Sequence, residues 1–209
     1  LPRNAVYVPP TVPEGVSPPV VAKTVPSAGA PFLLMAAGFA CHALMQSGTL
    51  SHLLTILQRG GIDASTAVFI GALFGPAQVL TRIADFVSGG KLHPLWLVRI
   101  AMASMACAFT LLVAAGFSPG VATAFALMFG AANGVVTIAR GALPLAMFGA
   151  VGYGRVVGRI ARPAQICQAL APFVLAYVID RWSGVVALEM LIAVALVALV
   201  CFSALRKPA

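Results

Sequence analysis

Acidic residues are scarce in this chain: five Asp and Glu among 209 positions, against thirteen Lys and Arg. Charged residues of both signs make up only 9%, where a soluble domain carries about a quarter. Such a chain cannot cover a water-facing surface, which excludes a soluble globular protein. Also missing are paired catalytic aspartates, an H-E-x-x-H helix and a G-x-S-G nucleophile setting. Ser47 and His52 are five apart and point to different helix faces, and Ser183 in "WSGV" has no activating neighbour, so no enzyme is expected. The four cysteines (Cys41, Cys107, Cys167, Cys201) form no C-x-x-C pair and no metal-ligand spacing with the three histidines. They read as small apolar fillers of helix interfaces, and neither a metal nor a cofactor is expected. No basic patch is interleaved with aromatics, so the net charge of +8 does not indicate nucleic acid.

Apolar residues are abundant, at 61% with a mean hydropathy of +1.01. The first 30 residues differ from the rest. The stretch through Pro31 holds eight of the fifteen prolines and reads as an extended, polyproline-like linker. Six apolar runs follow, at about 31–57, 64–87, 95–116, 121–149, 156–179 and 185–205. Each has the roughly 20 residues that a membrane-spanning helix needs. The runs are continuous rather than alternating, which favours helices over a barrel. Asp63 is placed to cap the second. The chain starts at Leu1 with no signal-peptide pattern, as expected of a piece of a longer protein.

Six crossings bring both ends to one side. The ends and the loops after the second and fourth spans hold Arg3, Lys23, Lys91, Arg155, Arg159, Arg206 and Lys207, while the opposite loops hold only Arg59 and Arg181. Basic residues collect on the cytoplasmic face, so both ends are expected there. A second pattern is internal. From Gly71 and from Gly158 the chain fits G-x-x-x-x-P-A-Q-x-x-x-x-x-A-x-F twice, at an offset of 87 residues. These copies lie in spans two and five, the middle helices of two three-helix units that cross in opposite senses. An inverted three-plus-three repeat is a transporter architecture; chance similarity of two apolar helices is the alternative.

Polar side chains within spans are costly and face a cavity or a partner helix. His42 and Gln46 share a face of the first span by their spacing of four. Asn133, Thr137 and Arg140 share one on the fourth, Gln78, Arg82 and Asp85 on the second, and Gln165 and Gln168 on the fifth. Arg140 requires a counter-ion, a wet cavity, an anionic substrate, or a path to the headgroups. Arg82 and Asp85 are expected to form a structural or gating ion pair, and Asp180 and Arg181 a solvated one outside. His42 is either a proton-coupling group or a histidine bonded between helices. Gly71, Gly75, Gly130, Gly134, Gly154 and Gly158 are expected to permit close helix approach, and Pro76, Pro144, Pro163 and Pro172 to bend their helices.

Three segments carry a family resemblance. "GPAQVLTRIAD", "GAANGVVTIARGALPLAMFG" and "GYGRVVGRIARPAQICQALAPFV" resemble the eighth helix, the tenth helix, and the loop and eleventh helix of bacterial major facilitator superfamily transporters. "TRIADFVSGGK" resembles that family's loop motif, with Thr81, Phe86 and Ser88 departing from it. The resemblance covers residues 31–209 and implies the C-terminal six-helix half of a twelve-helix inner-membrane bundle, with residues 1–30 ending the central cytoplasmic loop. It implies alternating access, the N-terminal half as partner, and a small, anionic solute if both arginines face the cavity. His42, Gln46, Asn133, Thr137 and Arg140 would line that cavity, with Gln78, Arg82 and Gln165 behind them. Asp85, Tyr153, Arg155 and Arg159 would gate its inner mouth. A six-span anchor or assembly protein remains the alternative; there His42, Gln46, Asn133 and Arg140 would face neighbouring helices instead of water.

Overall fold

The computed structural model describes residues 29–90 and 92–206. Nearly all of the Pro-rich linker, together with Lys91 and Lys207, lies outside the described residues. Seven helices form: α1 (Ala30–Arg59), α2 (Ala64–Ala72), α3 (Phe74–Val87), α4 (Pro94–Ala115), α5 (Pro119–Phe148), α6 (Tyr153–Arg181) and α7 (Gly184–Ala204). With α2 and α3 counted as one span, six are long and apolar enough to cross a membrane. The protein is all-helical over the described residues, with no strand.

Local chemistry sets the helix ends. The Asp63 carboxylate accepts from the Thr66 amide at 2.9 Å, and Ser118 and Ser183 cap α5 and α7 through their hydroxyls. Pro94 and Pro119 lie in the first turns of α4 and α5, where no amide is needed. The helix of the second span is interrupted at Leu73, which keeps a right-handed helical conformation. Pro76 has no amide for the Ala72 carbonyl, and the ladder slackens there. By contrast α6 runs unbroken through Pro163 and Pro172. The repeated proline thus coincides with a break in the first copy and with a continuous helix in the second. At Pro172 a neighbour intervenes. The Ser47 hydroxyl of α1 donates to the Gln168 carbonyl at 2.8 Å, the carbonyl that Pro172 cannot engage. Neighbouring helices commonly re-satisfy such groups.

Packing is strongly selective. α1 lies chiefly against α6 and α7, α5 against α4 and α3, and α4 against α7. Phe74, Phe109, Phe125 and Phe129 fill the α3–α4–α5 core, with ring centroids 5.4–6.2 Å apart. Gly130 and Gly134 let α5 meet the backbone of α3: a Cβ on Gly134 would lie 2.7 Å from the Gln78 carbonyl oxygen. Gly75, Gly154 and Gly158 do not act in this way. A Cβ there would meet open space, because no helix among the described residues covers those faces.

One end of the bundle gathers Arg99, Arg155, Arg159 and Arg206 (the basic end below). The Arg99 guanidinium donates from Nε to the Phe202 carbonyl at 3.1 Å and from Nη2 to those of Ser203 and Leu205 at 3.1 and 2.7 Å. It thereby ties α4 to the otherwise unpaired carbonyls at the end of α7. At the opposite end Arg59 pairs with Asp180 at 3.0 Å. This corrects the expected Asp180–Arg181 pair: adjacent residues on a helix do not face each other.

Candidate functional site

The polar residues on α1, α3, α5 and α6 converge along one seam. His42 of α1 is buried, and neither ring nitrogen has a hydrogen-bond partner. Asn133 of α5 faces it, and Arg140 lies within electrostatic range. The Asn133 carboxamide oxygen is likewise buried and unpartnered. One turn on, the exposed Thr137 donates its hydroxyl to the Asn133 carbonyl at 2.9 Å and accepts from Nη2 of Arg82 at 3.3 Å. Another turn towards the basic end, the Arg140 guanidinium sits over the Phe39 ring, 5.9 Å from its centroid.

Arg140 opens on a cavity of about 60 Å³ between α1, α5 and α6. Phe39, Pro144, Val157, Ile160 and Ala164 form its apolar wall, and Gln165 is its other polar side chain. At 1.5 Å per residue, Arg140 lies about 12 Å from the end of α5 and Gln165 about 18 Å from the start of α6. The cavity therefore lies two to three helical turns in from the basic end of the bundle. It has room for about two waters at about 30 Å³ each, walled by hydrocarbon on one side and a guanidinium on the other.

The sequence-predicted residues divide three ways. His42, Asn133, Thr137, Arg140, Arg82 and Gln165 join this arrangement. Gln46 and Gln78 are half-buried on its border, and the Gln78 backbone meets Gly134. Asp85 stands apart: the only ion pair among the described residues is Arg59–Asp180. The expected Arg82–Asp85 pair is thus replaced by the cross-helix bond to Thr137. Arg followed by Asp is the poorer order for a helical pair, and α5 offers an acceptor close by. Nearer the basic end, Tyr153 donates its hydroxyl to the Gly141 carbonyl at 2.9 Å, Arg159 covers Phe32 at 5.1 Å, and Arg155 is exposed.

Sequence reasoning missed three elements. Phe39 emerges as the platform for Arg140, although an aromatic in an apolar run carries no signal of its own. Thr49 of α1 is buried with an unpartnered hydroxyl. Ser47 and His52 both turn to α6, where His52 donates from Nε2 to the Pro172 carbonyl at 2.8 Å. Among the described residues no cluster of His, Cys, Asp and Glu could hold a metal ion. Searches against family models and against curated proteins return no match for the chain.

Proposed function

We propose that this chain is the C-terminal six-helix half of a secondary transporter of the major facilitator type, moving a small anionic solute across a bacterial inner membrane by alternating access, with both ends cytoplasmic. The observation that carries the reading is the line of polar groups from Arg82 through Thr137 and Asn133 to His42 and Arg140, several without partners, in a chain otherwise built for lipid. An unsatisfied buried polar group costs about 1–3 kcal/mol, so groups without a role in binding would be a standing loss. Two guanidiniums with no carboxylate partner among the described residues favour an anion.

The inverted three-plus-three repeat has support of its own. Under the 87-residue offset, α1 corresponds to α5 and the second span to α6. The α1–α6 contact then corresponds to α5–α3, and both are among the extensive ones. Ala43 and Ser47 correspond to Gly130 and Gly134, small residues four apart in both copies. The exposed Val79, Ile83, Phe86 and Val87 correspond to the exposed Ile166, Leu170, Phe173 and Val174. In this reading those matched faces meet the N-terminal half, while Tyr153, Arg155, Arg159 and Asp85 act at the inner mouth.

The test is uptake. The chain reconstituted alone should move no solute, and addition of its N-terminal half should restore uptake that Arg140→Gln abolishes. Robust uptake by the chain alone would overturn the half-bundle reading. A second reading, a six-span anchor without transport, draws on the nearly complete burial of His42 and Asn133. It predicts that Arg140→Gln leaves every transport readout unchanged.

A further inference from the structure

Away from that seam, α4 and α7 flank two shallow, open grooves on the surface of the bundle. One, of about 410 Å³, is lined by Trp96, Arg99, Ile100, Ala103, Leu199 and Ser203. The other, of about 480 Å³, continues one turn further along both helices, past Ala106, Cys107 and Leu196. Ala103, Ala106 and Cys107 keep the floor low between the flanking Ile100, Leu196 and Leu199.

The head of this seam is chemically distinct from its length. Arg99 spends Nε and Nη2 on the carbonyls ending α7, while Nη1 makes no hydrogen bond to the described residues. Its guanidinium faces the Trp96 ring at 5.1 Å, and the half-exposed Trp96 indole is likewise unbonded. Among the described residues no carboxylate pairs with Arg99. The end of α7 offsets about half a charge, and Arg206 adds a full one just beyond it. Glu189 lies towards the far end of α7, so the groove is positive at one end only. Trp and Arg at this depth mark the headgroup level.

We propose that the α4–α7 seam is a binding site for one anionic phospholipid of the leaflet at the basic end. Its phosphate accepts from Nη1 of Arg99 and from the Trp96 indole N–H. One acyl chain lies along Ile100, Ala103 and Leu199 and ends near Cys107. From Trp96 to Ala106 is ten residues, about 15 Å of helix, which matches the depth of one leaflet. The site requires only that the chain sits in a bilayer and is independent of the transport reading.

Native mass spectrometry of the full chain in detergent tests this, titrated with phosphatidylglycerol and phosphatidylcholine of identical acyl chains. One phosphatidylglycerol should bind about fivefold more tightly than phosphatidylcholine, the effect of one basic residue at a membrane surface. Ala103→Leu, which fills the groove, should weaken both lipids, and Arg99→Gln should remove the preference alone. Because Arg99 also secures α7, the unmutated protein supplies a second readout. Cys107 is exposed in the groove, and phosphatidylglycerol should slow its alkylation more than phosphatidylcholine does. Equal affinity for the two lipids, or Cys107 labelling indifferent to phosphatidylglycerol, would overturn the proposal. So would conversion of a dimer to monomer by Ala103→Leu, which would make a second copy the occupant.

Discussion

Replacing Gly134 by alanine inserts one methyl where α5 crosses α3. The new Cβ would stand 2.7 Å from the Gln78 carbonyl oxygen and 3.1 Å from its Cα, where ordinary contact begins at 3.4 Å. The obstacle is backbone, which has no rotamer to change, so α5 must recede by the difference between 2.7 and 3.4 Å, about 0.7 Å. A gap of that size forfeits about a quarter to a half of the dispersion well for the facing atoms, and overpacking of this kind costs about 1–3 kcal/mol. Alanine's better helix propensity returns about 1 kcal/mol. The net expectation is a loss of up to about 2 kcal/mol in detergent-to-SDS unfolding of the purified protein. Gly158→Ala is the matched control, because its Cβ meets open space; it should leave stability unchanged or raise it by up to about 1 kcal/mol. A Gly134→Ala variant at least as stable as the parent would refute the close approach of α5 and α3.

Other consequences follow from particular contacts. Ser47→Ala should cost about 0.6–1.7 kcal/mol in the same assay, and much less in a Pro172→Ala background, where the residue 172 amide can serve the Gln168 carbonyl; equal losses in both backgrounds would contradict the rescue. Arg99→Met removes three charge-assisted bonds to the end of α7 and should destabilise by about 2 kcal/mol, with faster hydrogen exchange confined to the last turn of α7; an unchanged exchange profile would count against it. Asp63 accepts from the Ser65 hydroxyl and the Thr66 amide, which hold its carboxyl at about 2 instead of 3.8. Its folded value is depressed, so the cap's contribution is complete above the unfolded value and lost as pH falls through about 2. A carboxyl titration followed by NMR should show that low midpoint, and a midpoint near 4 would contradict the cap.

The six spans were legible because hydropathy over some 20 residues belongs to a single segment and needs no knowledge of its neighbours. The caps at Asp63 and Ser118 were local for the same reason, although only Asp63 was singled out. Pairings between helices were another matter. Arg82 and Asp85 suggest a pair when only their own helix is considered, yet the preferred partner, Thr137, stands 55 positions away on α5. Gly134 and Gly158 look equivalent in the sequence; one meets a backbone and the other open space, a difference set by which faces the bundle covers. The proline at 163 resembles that at 76, but helix continuity depends on the surroundings of each. The polar faces of α1 and α5 were readable from spacing alone, whereas Phe39 beneath Arg140 needed the fold.

The central claim is that these faces line a solute path, and site-directed thiol labelling tests it most directly. The four native cysteines would be replaced in the chain together with its proposed N-terminal half, and single cysteines placed at Thr137, Arg140 and Gln165, with Arg181, exposed at the far end of α6, as a position outside the path. A membrane-impermeant thiol reagent would be applied with and without a panel of small carboxylates and phosphates. The account predicts labelling at the first three positions and protection of all three by the same anion, with Arg181 unprotected. No labelling at Thr137, Arg140 and Gln165, or labelling that no anion slows, would contradict it and leave the anchor as the better reading.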